Sequence, residues 1–167
     1  MSLIDRAAYR VRQFTRTLRP HISEIELDDA RRVLGPQLFP LFASMQPADQ
    51  RHCLDVSERL TTGGCADTEM LQAALIHDAG KGRIAGAGFV VHHRVLFVML
   101  EHLPAALVIA SRFNRGIRSL RNHDQRTLEV AREYGALPGV IELLEGMAEG
   151  ASTDPRVLQL VAADDAS

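Results

Sequence analysis

Lysine is almost missing from this chain. Lys81 is the only one, and every other long basic side chain is an arginine. Such usage reflects a biased genome more than a task, so the one lysine stands out by its position. Cysteine is scarce too: Cys53 and Cys65 are too few and too ill-spaced for a disulfide framework or a zinc knuckle, and read as two reduced thiols. The N-terminus, Met1-Ser2-Leu3-Ile4-Asp5-Arg6, lacks the apolar core of a signal peptide. Long uninterrupted apolar runs are also lacking. The most hydrophobic stretch, 89–110, is broken by His92, His93, Arg94, Glu101, His102 and Pro104, which makes it a poor bilayer span. These absences predict a cytoplasmic chain with no expected membrane contact. A net charge of −2 removes the electrostatic reason to expect nucleic acid as a partner.

What is present is ordinary in bulk and specific in detail. The 167 residues are 46% hydrophobic and 24% charged, enough for one domain with a single core. No internal repeat, low-complexity tract or linker divides the chain. β-branched alternation is scarce, and nearly every segment reads at helical period, which predicts an all-α, single-domain bundle with short connections.

The expected elements follow from local signals. A first helix over 3–19 carries Arg6, Arg10, Arg12, Arg16 and Arg19, most simply as a solvated face, and stops at Pro20. A second opens on the capping box Ser23-Glu24-Ile25-Glu26 and ends near Gly35, followed by a short apolar helix over 37–45. Pro47 suits the first position of a helix running to about Thr61, which contains His52. Gly63-Gly64 breaks it. Asp67 caps the next helix, apolar on nearly every side through Met70, Leu71, Ala73, Ala74, Leu75 and Ile76, and so suited to the centre of a bundle. Residues 80–88 are too glycine-rich for regular structure and predict a loop. Helices are expected at 89–103, 104–112, 124–134 and 138–147. A last one, from Pro155 to about Asp165, is capped by Asp154.

Set into this helical frame are residues that carry chemistry. His52 lies in one helix, the adjacent pair His77-Asp78 ends the next, and Asp164 closes the final one. Two imidazoles and two carboxylates form a sensible ligand set for a divalent transition metal: Mn²⁺, Fe²⁺, Co²⁺, Ni²⁺ or Zn²⁺ rather than Ca²⁺. Asp165 competes with Asp164 as the last ligand. Lys81 follows the His-Asp pair at once, placed either to meet a phosphate or to complement a helix C-terminus. His123 opens a helix in Arg121-Asn122-His123-Asp124, and His93-Arg94 begins another after the glycine-rich segment, where the arginine fork suits a phosphate. His21, His92 and His102 read as surface or packed residues.

At Arg51-His52-Cys53-Leu54-Asp55-Val56, Leu71 to Lys81 (LQAALIHDAGK) and Ala162-Ala163-Asp164-Asp165, the chain resembles the HD-domain superfamily of metal-dependent phosphohydrolases. The resemblance runs from about Met45 to the C-terminus. It implies an HD domain over 46–167, on which N-terminal helices (1–45) pack to form one structural domain. It also implies a metal held by His52, His77, Asp78 and Asp164. The activity implied is hydrolysis of a phosphate ester or nucleotide, and the partner a phosphorylated small molecule or nucleotide. In the roles assigned here, Asp78 accepts a proton, while Lys81, His123 and Arg94 neutralise phosphate charge. Binuclear branches add two histidines; His123 matches the first, but Glu145-Gly146-Met147 stands where the second belongs. A thioether does not replace imidazole at a hard-metal site, so the sequence favours one ion over two. The alternative is a catalytically degenerate HD module that binds metal or nucleotide as a regulator or scaffold. A homodimer is compatible with the apolar surface around 95–109.

Overall fold

The computed structural model describes residues 20–86, 122–150 and 152–167. Among them are six α-helices and no strand: α1 (Glu24–Ser44), α2 (Pro47–Thr62), α3 (Thr68–Ile76), α4 (His123–Glu133), α5 (Pro138–Glu149) and α6 (Pro155–Asp165). A 3-10 turn, Ala79–Lys81, follows α3. The fold class is all-α, as the helical periodicity predicts. The arginine-bearing helix expected over 3–19, the helices expected at 89–103 and 104–112, and with them His92, His93, Arg94 and His102, lie outside the described residues.

Helix boundaries follow the local chemistry closely. Ser23 Oγ accepts from the Glu26 amide at 3.3 Å while the Glu26 carboxylate accepts from the Ser23 amide at 2.8 Å, so two orphan donors of the first turn are satisfied reciprocally. The predicted stop near Gly35 is an interruption inside α1. Gly35 adopts φ 65° and ψ 179°, a conformation open to glycine, and Pro36 beside it supplies no amide hydrogen. Pro47 stands in the first turn of α2, and Asp67 caps α3 by accepting from the amides of Glu69 and Met70. Asp154 does the same for α6 through the Arg156 amide at 2.8 Å.

α3 is the central helix, packing against α1, α2, α5 and α6. Met70, Ala73, Ala74, Leu75 and Ile76 are all buried in it, the pattern expected of a helix apolar on every side. Phe42 and Leu41 from α1, Leu60 from α2, Leu143 from α5 and Leu160 from α6 close around it in one continuous core. The segment expected to be a loop from residue 80 corrects in part. Gly80 and Lys81 belong to the 3-10 turn, and Gly80 is buried, because the end of α3 rests directly on α4. The Arg83 amide then bonds the Ser44 carbonyl at 3.0 Å and ties the turn to the end of α1.

An ion pair helps join α1 to the helix that carries His52. Arg51 holds the Glu26 carboxylate, already bound in the capping box, and donates through Nε to Asp55 at 2.9 Å. Burial pushes the Glu26 carboxyl up, but hydrogen bonds from Arg51 and Ser23 outweigh it and bring its pKa to about 2. A carboxyl lowered from 4.5 in this way stabilises the fold at pH values above 4.5 and loses that contribution as pH falls toward about 2. The pair is partly open to solvent, so its worth is screened to about 1 kcal/mol or less. Urea unfolding of Glu26→Gln beside the unaltered chain is therefore expected to show a small deficit at pH 7 that closes between pH 4.5 and about 2. An unchanged deficit at the acid end would assign the effect to packing.

Candidate metal centre

Three elements bring the ligand candidates together. On α2 the buried face runs through Asp49, Cys53, Val56 and Leu60, and His52 sits beside it at the edge of the core. α3 stops at Ile76; His77 keeps near-helical angles, and Asp78 turns out of the helix at φ −95° and ψ 7°. On α6 the buried positions Val157, Leu160 and Ala163 leave Asp164 partly buried on the inward side and Asp165 exposed. The spacing Val157, Leu160, Asp164 is i, i+3, i+7, so helical periodicity itself separates the two aspartates.

The donor atoms converge. One nitrogen each of His52 and His77 and one oxygen of Asp78 lie within 4.8 Å of one another, and this group could hold a metal ion. Asp164 Oδ1 is 2.7 Å from His52 Nε2 and 3.5 Å from His77 Nε2. His77 Nε2 is also 3.8 Å from Asp78 Oδ1. The two imidazoles meet edge to face, with ring centroids 5.2 Å apart.

The tautomer of His77 is set by its other nitrogen. Nδ1 lies 2.9 Å from the Ala74 carbonyl, an acceptor only, so Nδ1 carries the hydrogen. In the neutral ring Nε2 then presents its lone pair toward Asp78 and Asp164, the arrangement a metal-ligating histidine requires. The Cys53 sulfur, 3.7 Å from Nδ1, is fully buried, and burial pushes its thiol up, which makes it a neutral neighbour.

The electrostatics show what a cation would meet. Asp78 is 3% exposed; burial pushes its carboxyl up, but Lys81, His77 and His123 together hold it well below the usual carboxylate range. Asp164 is likewise raised by burial and lowered further by hydrogen bonds from His52 and His77, with a net fall. Burial disfavours a charged His77, yet the sulfur of Cys53 and the carboxylates of Asp78 and Asp164 together raise its pKa well above the ordinary value. Two ionised carboxylates favour a proton on His77 between them. A divalent ion would displace that proton and satisfy the same oxygens, so the residues fit the ion that their chemistry implies.

The remaining candidates fall around this group. Lys81 Nζ is 2.6 Å from Asp78 Oδ1 and 2.7 Å from Oδ2. His123, at the start of α4, places Nε2 3.7 Å from Asp78 Oδ1 and 3.1 Å from Asp124 Oδ1. All of these line an open cleft of about 290 Å³, whose other wall is Leu144, Met147 and Ala148 of α5. Met147 therefore faces the cleft with a thioether where a histidine would add a ligand nitrogen.

Asp124 and Thr127 also line the cleft, and neither was singled out from the sequence. Thr127 follows His123 by one helical turn, and Leu144, Met147 and Ala148 are spaced i, i+3, i+4, signals that needed only the position of α5 to be read. No helix among the described residues is long and apolar enough to cross a membrane. No family model, curated protein or solved structure matches the chain.

Proposed function

We propose that this chain is an HD-type metal-dependent phosphohydrolase acting on a small phosphate ester or nucleotide. The observation that carries the reading is the convergence of His52, His77 and Asp78 from two helices, with Asp164 of a third against both histidines. His52, His77, Asp78 and Asp164 would hold one ion of the manganese-to-zinc series. When bound, that ion supplies Lewis acidity toward a phosphoryl group and toward water.

The protein groups divide the remaining work. His77, fixed through Ala74, orients the centre. Asp78 stays ionised beside Lys81, which contacts both its oxygens; held well below the usual carboxylate range, it would serve better as a charged ligand than as the proton acceptor assigned to it from sequence. The Lys81 ammonium offers a compact positive charge to a phosphate as negative charge builds on its oxygens. His123 stands on the same side and can share that charge or move a proton. Arg94, assigned a similar role from sequence, lies outside the described residues.

A second reading is a module that binds metal or nucleotide without turnover, and Met147 on the cleft wall leaves it open: the thioether supplies no hard ligand for a second ion. One assay separates the two. Protein loaded in turn with Mn²⁺, Co²⁺ and Zn²⁺ is offered a panel of phosphomonoesters, phosphodiesters and nucleotides. The hydrolase reading expects metal-dependent release of phosphate or a nucleoside monophosphate, abolished by chelator. Nucleotide binding without release across the panel would establish the regulator instead.

A further inference from the structure

Thr127 is 1% exposed, and its hydroxyl makes one donated and one accepted hydrogen bond. Oγ1 donates to the His77 carbonyl at 2.9 Å and accepts from the Gly80 amide at 2.8 Å. The directions are not interchangeable, because a carbonyl only accepts and an amide only donates. One hydroxyl of α4 thus spans both ends of the segment that carries Asp78, bonding the backbone of a ligand residue on one side. It also satisfies a carbonyl that the end of α3 leaves without a helical partner.

A second contact reinforces the first. A Cβ built on Gly80 would lie 2.0 Å from the His123 carbonyl oxygen and 2.7 Å from the Thr127 amide nitrogen. The backbone of α4 therefore rests on the backbone of the turn, with no room for a side chain. The same helical turn that carries Thr127 carries His123, whose Nε2 reaches to 3.7 Å from Asp78 Oδ1.

We propose that Thr127 is a positioning residue for the metal centre: by clasping His77 and Gly80 it fixes the His77-Asp78 turn in register with the helix that bears His123. The inference rests on the metal-centre reading above. Valine has nearly the shape of threonine and would fill the same space, so packing alone gives no reason for a hydroxyl here. Its removal leaves the buried Gly80 N–H and the part-buried His77 C=O without this partner, which loosens the segment that delivers two of the four ligands.

The test is a Co²⁺ titration of the full chain, followed by visible d–d absorption, with far-UV circular dichroism and Tm recorded for each variant. The unaltered chain and Thr127→Ser, which keeps the hydroxyl, are expected to bind Co²⁺ with the same spectrum and affinity. Thr127→Val is expected to fold but to bind about 10–100-fold more weakly with an altered spectrum, the loss seen when a group supporting a metal-ligating histidine is removed. Should the valine chain not fold, Thr127→Ala, which introduces no new bulk, is expected to show the same weakening. A folded valine or alanine variant with unchanged Co²⁺ affinity and spectrum would overturn the inference. So would a serine variant as defective as valine. Absence of Co²⁺ binding by the unaltered chain would instead remove the metal reading itself, and this inference with it.

Discussion

His77→Ala protein purified without chelator is expected to carry no transition metal, where the unaltered chain carries about one ion, and to lose metal-dependent phosphate release altogether. The reason lies in the position of His77 among the ligands. Its Nε2 faces both carboxylates, at 3.8 Å from Asp78 Oδ1 and 3.5 Å from Asp164 Oδ1, and its ring is held by the Ala74 carbonyl. Without it His52, Asp78 and Asp164 remain on three separate elements with no central donor. Two ionised carboxylates also lose the imidazole that stands between them.

His52→Ala offers a graded comparison. The His52 side chain is 31% exposed, against 9% for His77, so it closes the rim of the group and is free to be replaced by water. Its removal is expected to weaken metal retention less completely. Elemental mass spectrometry on the three proteins, with circular dichroism to establish folding, reads the difference directly. A folded His77→Ala chain that kept both its metal and its full activity would sink the assigned ligand set and the hydrolase reading together.

Much of the frame was legible because the signals were local. A capping box, prolines at helix starts and Asp67 and Asp154 as caps each act within one turn, so Ser23, Pro47, Asp67 and Asp154 marked their helices without tertiary information. The ligand candidates were legible because His77-Asp78 ends a helix whose last residues before it, Ala73 to Ile76, are all apolar. What sequence could not give was long-range contact. The seat of Gly80 depends on α4, some 40 positions on, which is why a glycine-rich stretch read as a loop begins as a buried 3-10 turn. Thr127 was passed over for the same reason: on its own helix it is an unremarked threonine, and its role is visible only against the end of α3. The Asp164 and Asp165 alternative lies between these cases, since the i, i+3, i+7 spacing from Val157 already points to Asp164.

Lys81→Met is the variant that decides what the one lysine does. If Lys81 serves only as a cation at a helix end, its loss costs about 0.3–1 kcal/mol of stability and leaves turnover alone. The geometry assigns it more than that. Its ammonium contacts both oxygens of Asp78, and its side chain is 17% exposed. Removing one partner from so buried a pair costs up to about 3–5 kcal/mol when the other charge is left uncompensated; here His77 and His123 also face Asp78 and reduce that cost. That cost applies to the metal-free chain; a bound divalent ion supplies its own charge to Asp78. Lys81→Met is therefore expected to lower Tm markedly without metal and much less with it. With the metal retained, kcat for phosphate release is expected to fall about 10²–10³-fold, the usual consequence of deleting one preorganised charge at the place where negative charge develops. Lys81→Arg is not expected to restore it in full, since a guanidinium pairs well with the carboxylate but is bulkier and spreads its charge over a plane, so it does not put a compact charge at the same point. Thermal unfolding with and without Mn²⁺, paired with steady-state kinetics on a hydrolysed substrate, separates the two roles. Unchanged kcat in a metal-replete Lys81→Met chain would leave Lys81 as a counter-charge for Asp78 and move phosphate recognition to His123.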